Sequence, residues 1–190
     1  MIRPIATTRE MTGMPTGRLA VWWLIASEIV IFGGVLGSYL MHRIGHKEWA
    51  AASAHTNTWA GAFNTLVLLT SSLSAVLAHN AALRKDGKRA AKLLWFTILG
   101  GGIFLVVKSI EWTGEIKAGY TITANNFWSF YYTAAGLHGL HVIAGMIVMM
   151  FVAADAAKGK ELQRVENAGL YWHFVDLVWI FLFPLLYIAK

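Results

Sequence analysis

Five stretches of this 190-residue chain are apolar over roughly 20 residues or more, the length at which a helix crosses the hydrocarbon core of a bilayer. They fall at about 19–41, 58–82, 93–116, 128–153 and 168–189. In lipid every backbone N–H and C=O must find a partner within the protein, so such runs fold as helices. The expectation is an all-α bundle of five transmembrane helices in one membrane domain over residues 1–190, without repeat or linker. The first run is too long for a signal-peptide core and has no convincing cleavage site, so it is read as a retained span.

The rest of the composition narrows the class. Hydrophobic residues make up 57% and charged residues only 14%, which a soluble domain of this size does not show. The absence of cysteine excludes disulfides, thiolate-held zinc, Fe–S clusters and a Cys nucleophile. A formal charge of +6 would suit a nucleic-acid partner, but the basic residues sit in short loops between apolar runs, so none is expected. About eleven Lys and Arg lie at the N-terminus and in the 83–92 and 154–167 loops, against about four on the other side (Arg43, Lys47, Lys117, Lys190). By the positive-inside rule the N-terminus is cytoplasmic and the C-terminus outside.

Smaller signals concern packing. Trp49, Trp59, Trp112 and Trp128 fall near outer span boundaries, as an aromatic belt would. Gly33 with Gly37, Gly100–Gly102, Gly136, Gly139 and Gly145 are expected at close helix contacts. Thr65, Thr70, Ser71, Ser72 and Ser74 hydroxylate the second span, a face expected to meet helices rather than lipid.

Ionisable groups inside the spans are costly, roughly 3 kcal/mol for Asp at mid-depth, and must turn toward protein. His173 and Asp176 are three apart and share a face of the last helix. At ~1.5 Å per residue, Glu28, His138 and His141 fall near mid-depth. Glu28 has no basic neighbour on its own helix, so it is either protonated or paired across helices, and His141 is the expected partner. That contact is either a proton-handling site or a structural hydrogen bond. Lys108, Glu111 and Glu115 recur on one face of the third helix as a self-satisfied ion-pair cluster near the outer interface, with Glu115 reaching water. Asn64 is placed at a depth where it can join them.

The histidine spacing suits neither haem nor another metal. Paired haem ligands in membrane cytochromes stand about 13–14 residues apart on each helix, whereas His138 and His141 are one turn apart. They would need further ligands at the same depth, with Glu28 the one obvious candidate. His42, His46 and His55 read as solvated. No hydrolase, phosphate-loop or deaminase signature is present. Physics alone leaves a transporter, a channel piece or an accessory subunit open.

GLHGLHVIAG (Gly136–Gly145) and YWHFVDLVWIFLFPLLYI (Tyr171–Ile188) strongly resemble subunit III of the haem–copper oxidases, the cytochrome c oxidase subunit III family. SEIVIFGG (Ser27–Gly34), FNTLVLLTSS (Phe63–Ser72) and IEWTGEI (Ile110–Ile116) resemble further family segments in the same order. The resemblance implies a non-redox subunit of a terminal oxidase in the bacterial inner membrane. Haem and copper would sit in partner subunits, none in this chain. Its partners would be catalytic subunit I, subunit II and membrane lipid, with phospholipid bound in a cleft between helix groups. It would support proton uptake and protect the enzyme against turnover-linked inactivation. By position, Glu28 matches the family's buried carboxylate, His138 and His141 its HGxH pair, Asn64 its asparagine helix and Glu111 its outer glutamate. His173, Asp176 and Trp179 match its last-helix motif. Mitochondrial-type members carry two helices before the carboxylate helix; here that helix comes first, as in some bacterial quinol oxidases and short bacterial forms. The short form also resembles an accessory protein of bacterial nitric oxide reductase, the alternative within the fold. A small polytopic transporter is the alternative from another class.

Overall fold

The computed structural model describes residues 16–45 and 49–189. Arg3, Arg9, His46, Lys47 and Lys190 of the readings above lie outside the described residues. The chain forms α1 (Thr16–Gly45), the short α2 (Trp49–Ser53), α3 (Thr58–Leu83), α4 (Gly87–Lys117), α5 (Asn126–Ala157) and α6 (Gln163–Phe183). A π-helical turn, Pro184–Ile188, continues α6. Five helices are long and apolar enough to cross a membrane, one at each expected stretch. α4 and α6 begin several residues earlier than their apolar runs. For α4 the cause is the cap: the Asp86 side chain accepts from Arg89 N–H, as Asn57 and Asn125 do for α3 and α5.

α3, α4, α5 and α6 close a four-helix ring in which each packs on the next and α6 returns to α3, while α1 rests outside on α5 and α6. Only 11% of the most apolar window of α1 is buried, against 33–50% for the other four spans. α1 meets the ring through one seam, Ile25, Phe32 and Tyr39, spaced by seven and all buried. Gly33 and Gly37 lie off that seam. Nothing stands within 4 Å of a Cβ added at either, so the close contact expected there is absent. The small residues that work are on the ring helices. A Cβ at Gly101 would come within 2.8 Å of the Trp172 ring, and one at Gly145 within 3.0 Å of it. The indole occupies a slot that these two glycines leave.

The expected tryptophan belt is half wrong. Trp59 is 87% exposed, but Trp49 and Trp128 are 4% and 0% exposed. They turn inward because the end of the bundle where α4 stops and α5 starts is itself aromatic: Trp49 meets Tyr39 and Phe127 edge-on, and Trp128 stacks on Tyr120. Trp112 packs its ring edge on Tyr132.

Pro184 shapes the chain's last turn. Having no N–H, and crowding the carbonyl four residues back, it cannot continue the α ladder, and the helix widens to a π turn. The last carbonyls of this turn, which have no donor further along the helix, are taken by other elements. Leu185 O accepts from Tyr39 O–H at 2.7 Å, Leu186 O from Thr56 at 3.4 Å and Tyr187 O from Thr58 at 3.1 Å. This turn brings the Tyr187 side chain into the bundle.

Candidate functional site

The contact expected between α1 and α5 is present: Glu28 Oε2 lies 2.9 Å from His141 Nε2. The other ring nitrogen, Nδ1, is 2.7 Å from Leu137 O, one turn back on α5. A carbonyl only accepts, so Nδ1 carries a proton. One further proton then lies between Nε2 and the carboxyl, either on the ring against a carboxylate or on the acid against a neutral ring. Both arrangements leave the pair without net charge, which suits side chains only 13% and 16% exposed.

The second polar group lies nearer the end where α4 stops and α5 starts. Lys108 Nζ donates to Glu111 Oε2 at 3.0 Å, to Tyr131 O–H at 2.8 Å and to the Tyr187 hydroxyl, so all three ammonium protons are used. The tyrosines pass the polarity on: Tyr131 donates to Glu115 Oε1 at 2.9 Å and Tyr187 to Glu111 Oε2 at 3.0 Å. Nζ also stands 4.5 Å from the centre of the Tyr131 ring. The ion-pair cluster read from the sequence exists, with two corrections. Glu115 does not reach water but is 8% exposed, roofed by Tyr131 and Tyr132. Asn64 does not join it; its Nδ2 donates to Phe104 O at 3.4 Å. Tyr131, Tyr132 and Tyr187 complete the cluster, and nothing in their sequence context singled them out.

His138 and His141 part company. A three-residue step turns about 300° around a helix, so the two rings diverge by roughly 60°. His141 faces α1, while His138 is fully buried between Phe104 (ring centres 5.3 Å, edge-on) and Trp179 (5.2 Å, stacked). Trp179 donates Nε1–H to Thr65 Oγ1 at 3.0 Å. On the same helix His173 Nδ1 hydrogen-bonds Ser72 Oγ at 2.6 Å, and Asp176 is 3% exposed. The hydroxylated face of α3 thus meets helices as expected: Ser71 accepts from Trp172, and Ser74 shares a hydrogen bond with Thr97 on α4. Thr70 is the exception, exposed and bonded back to Leu66 O. His42 and His55 are exposed but not simply solvated, since their rings lie 5.2 Å from Phe130 and 4.8 Å from Tyr120.

Outside the ring, α1, α5 and α6 border a groove of about 650 Å³ lined by Val21, Leu24, Leu140, Ala144, Val148 and Tyr171. Glu28 and His141 form one end, Arg164 and Asn167 the other. Arg164 bridges Asp155 at 3.3 Å and Glu161 at 3.6 Å, and the nearby Arg18 pairs with Glu166 at 3.4 Å. That mouth carries both signs of charge.

Among the described residues no three His, Asp or Glu converge as a metal site. The arrangement offers closed hydrogen-bonded pairs across helices instead. A family model described as cytochrome c oxidase subunit III matches residues 7–190. A cytochrome c oxidase subunit 3 from Thermostichus vulcanus is 32% identical over 170 residues, 86% of this chain and 83% of that protein. The one from Bacillus sp. (strain PS3) is 31% identical over 176 residues, 90% and 84% of the two chains. A haem–copper oxidase subunit I+III from Aeropyrum pernix is 29% identical over 183 residues, 90% of this chain and 22% of that longer one. Neither a nitric oxide reductase accessory protein nor a transporter is favoured by these matches. With the five ordered segments, the five helices and a near full-length family match in agreement, the chain belongs to the cytochrome c oxidase subunit III family, a multi-pass membrane subunit of a respiratory oxidase complex.

Proposed function

We propose that the chain is the non-redox subunit of a bacterial haem–copper terminal oxidase, set in the inner membrane with its N-terminus in the cytoplasm. Catalytic subunit I, which holds the haem–copper centre, and subunit II are its partners. The observation that carries this reading is that two of its buried basic groups close on their own chain: Lys108 spends every N–H on side chains of this chain, and His141 engages both ring nitrogens. The Aeropyrum relative, named as subunits I and III in one chain, supports the placement beside subunit I. Glu28 and His141 then tie the outlying α1 to the ring, and any effect on proton uptake is exerted through the position of this subunit. Purification in mild detergent by a tag on this chain is expected to bring haem with it. A Glu28→Gln variant, whose amide still donates to His141, is expected to leave assembly and haem spectrum intact. Glu28→Leu leaves Nε2 unpaired and is expected to weaken the hold on α1 by about 1–2 kcal/mol, read as earlier loss of the subunit with rising detergent. Loss of haem from the Glu28→Gln complex would overturn the accessory reading.

The groove on α1, α5 and α6 is proposed as the phospholipid site. Its floor is apolar along an acyl chain's length, since Leu140 to Val152 on α5 alone spans ~18 Å. The paired charges at its mouth suit a zwitterionic headgroup. Val148→Phe fills the groove two turns along α5 from the Glu28–His141 contact. Mass spectrometry of the purified complex is expected to show one phospholipid fewer per chain; an unchanged lipid count would remove the assignment.

A further inference from the structure

Five side chains on the ring helices carry polar atoms with no hydrogen-bond partner among the described residues: both carboxyl oxygens of Asp176, both ring nitrogens of His138, Oδ1 of Asn64, Oε1 of Glu111 and Nε1 of Trp112. The Ser72 hydroxyl lies beside the Asp176 carboxyl but is engaged by His173. His138 and Asn64 are 0% exposed and Asp176 3%. These are not scattered. Asp176 is one turn from Trp179 on α6, and the Trp179 ring stacks on His138. His138 and Asn64 both adjoin Phe104, one against its ring and the other bonded to its carbonyl. Trp179 is also 5.9 Å from Lys108 Nζ, which binds Glu111. Asp176, His138 and Asn64, which bear most of these atoms, are thus neighbours of Phe104 and Trp179 inside the ring, and none of the five side chains borders the α1 groove, as His138's helix neighbour His141 does.

Reassigning side-chain atoms does not satisfy these groups. A neutral imidazole always keeps one N–H donor and one acceptor nitrogen, and both nitrogens of His138 lack a partner. Asn64 cannot be turned over, because its oxygen would then face the Phe104 carbonyl. Buried polar groups are overwhelmingly satisfied, by protein or by internal water, and a water needs two to four polar partners. Donors and acceptors both occur here, which a water file requires and a metal site does not.

We propose that the four-helix ring encloses a short file of internal water molecules between Asp176 and Glu111, with His138 and Asn64 as its central ligands. The file joins the mid-depth acid to the outer Lys108–Glu111 network, making one hydrogen-bonded column of groups that otherwise end blind.

The test is X-ray radiolytic footprinting of the purified oxidase complex, in which hydroxyl radicals born from internal water oxidise the side chains beside it. Phe104 and Trp179, both fully buried, are expected to be labelled well above Met149, equally buried with none of these atoms nearby, after correction for intrinsic reactivity. His138→Leu is expected to reduce labelling at Phe104 and Trp179 several-fold, and His138→Gln to retain it. Phe104 and Trp179 as silent as Met149 in the unaltered complex would overturn the proposal, a result that holds even if the variants fail to assemble. Equal loss in the Leu and Gln variants would also overturn it, since it would assign His138 a packing role only.

Discussion

Replacing Lys108 by Met is expected to destabilise the chain by about 3–5 kcal/mol, the range for breaking a buried ion pair from one side. The side chains of Lys108 and Glu111 are 6% and 4% exposed, and Glu115 is 8% exposed. Met fills most of the lysine's volume, so packing is not what is lost. Two buried carboxyl groups remain, with no cation between them, and the hydroxyls of Tyr131 and Tyr187 lose the donor they accept from. Because Tyr187 belongs to the π turn whose carbonyls hold Tyr39 and Thr58, the damage extends to α1 and α3. Unfolding in mixed micelles, and retention of the subunit on the purified complex, measure the effect. Pairing Lys108→Met with Glu111→Met is expected to recover most of the loss, since apolar replacement of both partners leaves one acid still bonded to Tyr131. A single variant within about 1 kcal/mol of the unaltered protein would mean that water reaches the cluster.

Much of the fold was legible because bilayer thickness is a severe ruler: five apolar runs became five spanning helices. The Glu28–His141 contact followed from the same ruler, which put both residues near mid-depth, with no basic neighbour for Glu28 on its own helix. What depth does not encode is rotation. His138 and His141 share a level, yet a difference of about 60° around α5 sends one into the core and the other to α1. Gly33 and Gly37 were misread for the same reason, standing one and two residues off the Ile25–Phe32–Tyr39 seam. The tyrosine hydroxyls around Lys108 were illegible for another reason. Tyr131 reads as core, and Tyr187 reaches the cluster only because Pro184 changes the helical pitch before it. Asn64 sits level with the cluster but spends its donor on a backbone carbonyl, which side-chain pairing rules do not anticipate.

Trp179 shows how a residue singled out by motif can act through packing. It is 0% exposed, its ring meeting Phe104 at 4.8 Å, His138 at 5.2 Å and Tyr187 at 6.2 Å, with Nε1–H on Thr65. It therefore bridges α3, α4, α5 and the π turn. Trp179→Ala is expected to lose about 3 kcal/mol, the low end of the range for emptying an aromatic site. The low end applies because unfolded helices stay in lipid, which is as apolar as the core, so lost dispersion contacts dominate over transfer from water. Trp179→Phe keeps most of those contacts and gives up the Thr65 bond, an expected loss of about 1 kcal/mol. Unfolding of both variants in mixed micelles separates the two contributions. Equal losses in Ala and Phe would place the holding force in the single N–H bond to α3 and not in the volume at the centre of the ring.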